Sequence, residues 1–438
     1  MVYHNSASLK PTHQGAAAPC VVLVGAGVVG RAILAEHLRH GVNVLLLDLN
    51  PPALRQAAAE ATAQAPELKW CDSASPLPQL AAVRLGTQLA GDWTPELLIE
   101  SIPENLELKR SFFATASAAL DASCTLASNT SNLRVAEVFD AVADRSRCLG
   151  MHFFMPVGER PLVELIPCDT TDRETVERCR AHAQRLAKDA LVTGDSPGFV
   201  VNRVLVPYLN QALLLLGRGA SPELIAQAAQ RFGMPLSPLE LIDLIGIRTA
   251  FDSGRVFWRS FPKRIDPAPI LSGMVKAGRL GAAFGGGFFG PNLQQLSDTD
   301  ASLAASGLHP EALAVIQRYQ RDVRSWTVDE IVTALSLSMW IEAVEVLVAG
   351  VVDTPVAIEL GLRGGLGYRG KDGFFAFFDH QGNAAIGAQL QTLAQRGTLA
   401  APPGLCEQLQ RRHSPTEALL HFVRQSREPA ALSVGGQT

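Results

Sequence analysis

Apolar periodicity is missing from residues 1–18, which read as a loose tail, and the first hydrophobic run begins at Val21. Four apolar residues lead into a glycine turn. A helical period then covers residues 31–40, and a second apolar run covers residues 42–47. Strand, helix and strand at this spacing predict a right-handed βαβ unit. Further strand-like runs at 97–102, 125–128 and 150–154 alternate with helical stretches, the order a parallel sheet requires. A doubly wound α/β domain is therefore expected over residues 19–196.

Beyond Pro197 and Gly198 the pattern changes to long helical periods, so residues 197–292 are expected to form an all-α domain. Glycine is dense at 281–290, and polar, turn-prone residues follow, which reads as a linker over 293–325. A second helical stretch, 326–425, precedes a tail at 426–438. It repeats the order of features of the first: Asn210, Gln211 and Ala212 through Gly219, Ser221 and Pro222 to Gly233, against Ile341, Glu342 and Ala343 through Gly350, Thr354 and Pro355 to Gly365. Two unrelated amphipathic helix pairs are the plainer explanation, and duplication is the favoured one.

Composition narrows the function. With 47% hydrophobic and 18% charged residues the chain is globular, and a net charge of −4 supplies no basic surface for nucleic acid. Seven cysteines, an odd number without metal-ligand spacing, fit a reduced, cytoplasmic setting. The N-terminal stretch lacks the apolar segment of a signal peptide, and no run approaches the roughly 18 to 20 apolar residues of a membrane span, so no membrane partner is expected.

Chemistry concentrates where the predicted strands end. Gly25, Gly27 and Gly30 form GxGxxG between a strand and a helix: a tight turn, room for a pyrophosphate, and close packing of helix on strand. Asp48 ends the second strand, where a carboxylate accepts ribose hydroxyls and repels a 2′-phosphate, favouring NAD over NADP. Glu104 and Lys109 follow another strand, and on spacing alone they read equally as a helix-start carboxylate and a solvated charge. Ser128, Asn129, Thr130, Ser131 and Asn132 crowd small polar groups after a third, as a plain turn also would. His152 sits among apolar neighbours at a fourth, where a histidine is more often a satisfied core residue than a catalyst. Glu164 lies inside the apolar run Leu162, Val163, Glu164, Leu165, Ile166, and burying it unpaired is costly, so it needs a partner. His152 is the candidate, since a carboxylate on one ring nitrogen makes the other a better base.

Taken in order, these motifs resemble the L-3-hydroxyacyl-CoA dehydrogenase family over residues 20–290, with a further match at 326–425. The glycines and Asp48 match its Rossmann-type nucleotide-binding motif, and Glu104, Asn105 and Lys109 its Glu-Asn pair and lysine. Ser128 to Ser131, His152 to Phe154, Leu162 to Glu164 and Pro197 to Arg203 match its remaining motifs. The resemblance implies NAD contacts at Gly25, Gly27, Val28, Val29, Gly30, Asp48, Glu104, Lys109 and Ser131. It implies His152 as general base oriented by Glu164, with Ser131 and Asn202 on the reacting oxygen. The implied reaction is reversible oxidation of an L-3-hydroxyacyl-CoA to the 3-oxoacyl-CoA. The tandem helical stretches resemble those of multifunctional enzymes of fatty-acid β-oxidation, here without a preceding hydratase part. In single-copy members the helical unit pairs with its twin in a dimer, so a chain carrying both copies is expected to be monomeric or homodimeric.

Three departures stand out. Met155 replaces an asparagine that follows His-Phe-Phe in the family, and Ala282, Ala283 and Phe284 replace a basic pair. The stretch 57–92 is shorter and richer in Ala and Pro than the family's helical hairpin that contacts acyl-CoA. Another 3-hydroxy acid or carrier-bound thioester as substrate, and a cofactor-binding protein without activity, are the alternatives these departures keep open.

Overall fold

The computed structural model describes residues 21–64, 83–86, 95–290, 307–395 and 401–427. Two compact units divide the chain, the first ending at Asp195 and the second beginning at Ser196.

The first unit runs β1 (Val21–Val24), α1 (Val28–Arg39), β2 (Val44–Leu47), α2 (Pro51–Gln64), β3 (Val83–Gly86), β4 (Leu97–Glu100), α3 (Leu106–Ala119), β5 (Thr125–Ser128), α4 (Val135–Val138), β6 (Cys148–Phe153), β7 (Leu162–Pro167), α5 (Arg173–Arg185) and β8 (Asp189–Val192). Its eight strands among the described residues form one sheet in the order β3-β2-β1-β4-β5-β6-β7-β8. The order reverses between β1 and β4, and open α/β sheets bind ligands at such a switch point, beyond the carboxyl ends of the strands. The doubly wound α/β fold read from the sequence is the fold observed.

The inner strands are unbroken apolar runs, VVLV in β1 and VLLL in β2, because helices cover both faces of a parallel sheet. Ile33, Leu34 and Leu38 of α1 bury against Leu23, Leu46 and Ile99, each side chain contributing about 1.5–3 kcal/mol by leaving water. One pair of strands is antiparallel, β6 with β7, in a register that sets His152 directly opposite Glu164. Periodicity alone left β7 as an apolar run and did not mark β3 or β8.

The second unit is helical: α6 (Val201–Gly217), α7 (Pro222–Phe232), α8 (Pro238–Ile245), α9 (Ile247–Ser260), α10 (Pro269–Lys276), α11 (Pro310–Arg318), α12 (Val328–Val348), α13 (Pro355–Gly361), α14 (Phe374–Asp379), α15 (Asn383–Gln395), α16 (Leu405–Arg411) and α17 (Pro415–Arg427). The expected linker 293–325 is partly structured. Its first part lies outside the described residues except for the stretch from residue 307, where α11 buries Ala312, Val315 and Ile316. Both helical stretches therefore belong to one compact unit.

Helix α12 is the single described helix long and apolar enough to cross a membrane, a run the sequence reading passed over; it is mostly buried within its own unit. It packs along α6. The two stretches share local devices. Ser221 and Thr354 cap α7 and α13 through Leu224 N and Ala357 N, each followed by proline at the first helical position. Each stretch also has a Gly-Phe-Phe turn held by a carboxylate. Asp243 accepts Phe288 N at 2.8 Å and Phe289 N at 2.9 Å, and Glu359 accepts Phe374 N at 2.7 Å. Burial raises the Asp243 carboxyl to about 6.

Candidate active site

Between β1 and α1 the glycines do what their spacing predicts. Gly25 has a φ of +106°, and a Cβ on Gly30 would lie 1.9 Å from the Gly25 carbonyl oxygen, so only hydrogen fits there. A Cβ on Gly27 would meet nothing within 4 Å. That open space lies at the N-terminus of α1, whose cap makes no side-chain hydrogen bond, and it suits a pyrophosphate. Val28 stands 65% exposed at the mouth of the helix, while Val29 is partly buried against the core. At the end of β2, Asp48 accepts Ala26 N at 2.6 Å and Asn50 N at 2.7 Å. One carboxylate thus joins the glycine loop to the second strand, and each oxygen keeps a lone pair for a ribose hydroxyl. The residues present fit a dinucleotide.

At the ends of β4 and β5 the structure adds a residue the sequence reading missed. Glu100 closes β4 and is fully buried. It accepts Lys109 Nζ at 2.6 Å, Ile102 N at 2.7 Å and Ser128 Oγ at 2.6 Å. Lys109 is only 1% exposed, and besides Glu100 it reaches the Ile102 carbonyl at 3.3 Å and Glu104 Oε2 at 3.4 Å. Its ammonium thus sits beneath the strand ends. Glu104 in turn accepts Thr130 Oγ1 at 2.6 Å, Ser131 N at 3.0 Å and Asn132 N at 3.0 Å. The loop carrying Ser131 is therefore fastened to the loop carrying Glu104. Asn129 continues the lacing, accepting Phe153 N at 2.9 Å next to His152. The signal for Glu100 was present in the sequence, a carboxylate ending the run Leu-Leu-Ile, and the burial cost argued for Glu164 applies to it equally.

His152 and Glu164 meet across β6 and β7, with Nδ1 2.8 Å from Oε2. The imidazole is 5% exposed and the carboxylate fully buried. A carboxylate accepts, so Nδ1 carries the proton and the lone pair is on Nε2. Phe154 packs edge-on to the imidazole at 4.6 Å between centroids, restricting its rotation. Met155, 43% exposed, follows them at the start of a cis peptide bond to Pro156. Asn202 belongs to the second unit, in the first turn of α6.

A glycine loop open to a pyrophosphate, an acid at the second strand, and a buried imidazole–carboxylate pair at the same end of the sheet define a dinucleotide-binding fold that carries a proton-transfer pair. Comparison with known proteins gives the particular family. Residues 20–196 match the NAD binding domain of 3-hydroxyacyl-CoA dehydrogenase and residues 198–290 its C-terminal domain. The chain belongs to the 3-hydroxyacyl-CoA dehydrogenase family.

Among relatives, it is 28% identical over 387 residues to the fatty acid oxidation complex subunit alpha of Pseudomonas syringae pv. tomato, covering 87% of this chain. It spans about half of that relative, 53%. The crystal structure of (S)-3-hydroxybutyryl-CoA dehydrogenase PaaH1 from Ralstonia eutropha is 30% identical, with a TM-score of 0.54 over 63% of this chain and 99% of that one. The 3-hydroxybutyryl-CoA dehydrogenase of Escherichia coli K12 shares the fold over 93% of this chain and 99% of its own, with a TM-score of 0.70 at 21% identity.

Proposed function

We propose that this chain oxidises an L-3-hydroxyacyl-CoA to the 3-oxoacyl-CoA, reversibly, with NAD as cofactor. The observation that carries the reading is the His152–Glu164 hydrogen bond of 2.8 Å, buried at the end of the sheet where the glycine loop opens. Bound NAD supplies the hydride acceptor. Glu164 holds Nδ1–H and stabilises the imidazolium, and His152 Nε2 takes the substrate hydroxyl proton as the C3–H bond breaks with its electron pair. In reduction the same nitrogen returns the proton. Ser131, set by the bonds of its own and the next backbone N–H to Glu104, donates a hydrogen bond to the oxygen that passes between hydroxyl and carbonyl.

The pairing of α6 with α12 supports a second part of the reading: duplication gives one chain two related helical stretches that pack on each other, so it works without a partner copy. The described cysteines, Cys124, Cys148, Cys168, Cys179 and Cys406, are free thiols, which suits a reducing cytoplasm.

The test follows NADH absorbance with 3-hydroxybutyryl-CoA and a long-chain homologue. Turnover of either supports the reading, and silence on both with NAD still bound overturns the substrate class. His152→Ala abolishes turnover and leaves NAD affinity within about twofold, because the base meets the hydroxyl and not the dinucleotide. Retained turnover would remove His152 from the mechanism.

A further inference from the structure

A buried cation clamps the loop between the two strands of the proton-transfer pair, and the reaction as read above does not use it. Residues 154–161 lead from the end of β6, just past His152, to Leu162 at the start of β7. Lys188, its side chain 3% exposed, stands against that loop. Its Nζ donates to the Val157 carbonyl at 2.7 Å and the Arg160 carbonyl at 3.0 Å, and it reaches Glu36 Oε1 of α1 at 3.0 Å. An ammonium has three N–H donors, and three acceptors meet it. Arg39, three residues further along α1, donates Nη1 to Glu36 Oε2 at 2.7 Å and lies on the bare backbone of Gly158, where a Cβ would fall 2.7 Å from that nitrogen. The helix whose mouth opens on the glycine loop therefore also grips the loop that follows His152. Apolar side chains of similar volume would stabilise this spot as well or better, so what the ions add is direction.

The ammonium is aimed from a fixed backbone. Helix α5 is closed by Ala187 in a left-handed conformation, φ +52°, and the N–H groups of Ala187 and Lys188 return to the carbonyls of Gln184 and Ala183 at 2.9 Å each. Such a helix stop usually takes glycine, so the alanine bears strain that its surroundings hold. Asp189 then starts β8 and donates its N–H to the Pro161 carbonyl at 2.7 Å. Two consecutive residues thus hold the loop at Val157, Arg160 and Pro161. What the loop controls is the pair itself. His152 faces Glu164 in one register of β6 on β7, and a slip of one residue would turn the two side chains to opposite faces. Phe154, the first residue of the loop, is the ring that packs on the imidazole at 4.6 Å.

We propose that Lys188 is a positioning residue of the dehydrogenase: by holding the loop 154–161 it keeps Phe154 against the imidazole and His152 Nδ1–H on Glu164. This rests on the reading of His152 as the base given above. Each link in the chain, from Lys188 through the loop to Phe154, His152 and Glu164, lies within the first unit.

The experiment compares four variants of the full chain. His152→Ala tests the underlying reading, and Lys188→Met the inference. Lys188→Met with Glu36→Gln also removes the charge left stranded on Glu36, and Leu38→Ala is a packing lesion on α1. Steady-state kinetics with 3-hydroxybutyryl-CoA and Tm are read beside hydrogen exchange of the peptide spanning 154–161. The downfield proton NMR signal of His152 Nδ1–H, identified by its loss in His152→Ala, reports the bond to Glu164. Lys188→Met is expected to lower kcat about 10- to 100-fold with KM for NAD unchanged, to accelerate exchange in 154–161 and to weaken or move the proton signal. The double variant regains part of the lost Tm and none of the lost kcat, because the two loop carbonyls still lack their donor. Leu38→Ala lowers Tm and leaves kcat and the signal as they were. If His152→Ala keeps full kcat, the reading of His152 fails, and exchange and the proton signal still judge the clamp. If His152→Ala loses kcat while Lys188→Met keeps it, if exchange and the signal are unmoved in Lys188→Met, or if the double variant regains kcat together with Tm, the positioning role is overturned.

Discussion

Replacing Lys109 with methionine removes the cation that, among the described residues, pairs with Glu100, and keeps most of the side chain's volume. The ammonium is 1% exposed and 2.6 Å from a fully buried carboxylate, so the lesion leaves Glu100 charged in a dry site with only Ser128 Oγ and Ile102 N as donors. Breaking a buried pair this way costs about 3–5 kcal/mol. For a unit of this size each kcal/mol is worth roughly 2–4 °C, so the first unit should melt on the order of 10 °C lower by calorimetry. Adding Glu100→Gln removes the stranded charge, and the double variant should recover about half the loss, a coupling that a double-mutant cycle isolates.

NAD affinity is the second readout, measured by fluorescence titration below the melting range. A buried strut predicts a change of less than about threefold, and a direct cofactor contact predicts a loss beyond tenfold. An unchanged Tm together with a large loss of NAD affinity would refute the strut and return Lys109 to the cofactor.

Two further outcomes follow from other parts of the first unit. Asp48→Ala should weaken NAD and narrow its preference over NADP, because the charge that repels a 2′-phosphate is gone; paired titrations with the two cofactors check it, and an unaltered ratio would misplace Asp48. His37 and His182 meet at 2.9 Å between Nε2 atoms, and burial lowers them to about 4 and about 3. His37 Nδ1 donates to the Ile33 carbonyl, so its Nε2 accepts and His182 donates. Both rings stay neutral in the folded unit while the unfolded chain takes up protons below about 6.5, so stability is full above that pH and falls as pH drops toward 4. The slope is about 1.4 kcal/mol per pH unit for each ring. Replacing both, His37→Phe with His182→Leu, should flatten Tm between pH 6.5 and 5, and an unchanged slope would sink the assignment.

What the chain's own pattern determined is what depends on near neighbours. The βαβ start, the glycine spacing and Asp48 were legible because a turn, a helix mouth and a strand end are set within about 20 residues. The switch to helices after Gly198 was legible for the same reason. His152 and Glu164 could be named as partners from the cost of burying Glu164, yet their contact needed the antiparallel register of β6 and β7, which no local period encodes. Glu100 lay unremarked inside the apolar run 97–102 until the sheet closed over it, and Lys109, a solvated charge on spacing and a cofactor contact by the resemblance, is turned inward by α3 onto that carboxylate. Arg203 and Glu342, a buried ion pair at 2.7 Å, are 139 positions apart, and only the packing of α6 on α12 joins them. Folding decides such pairs because burial of a charge is a property of everything around it, whereas periodicity reports only which face a residue takes.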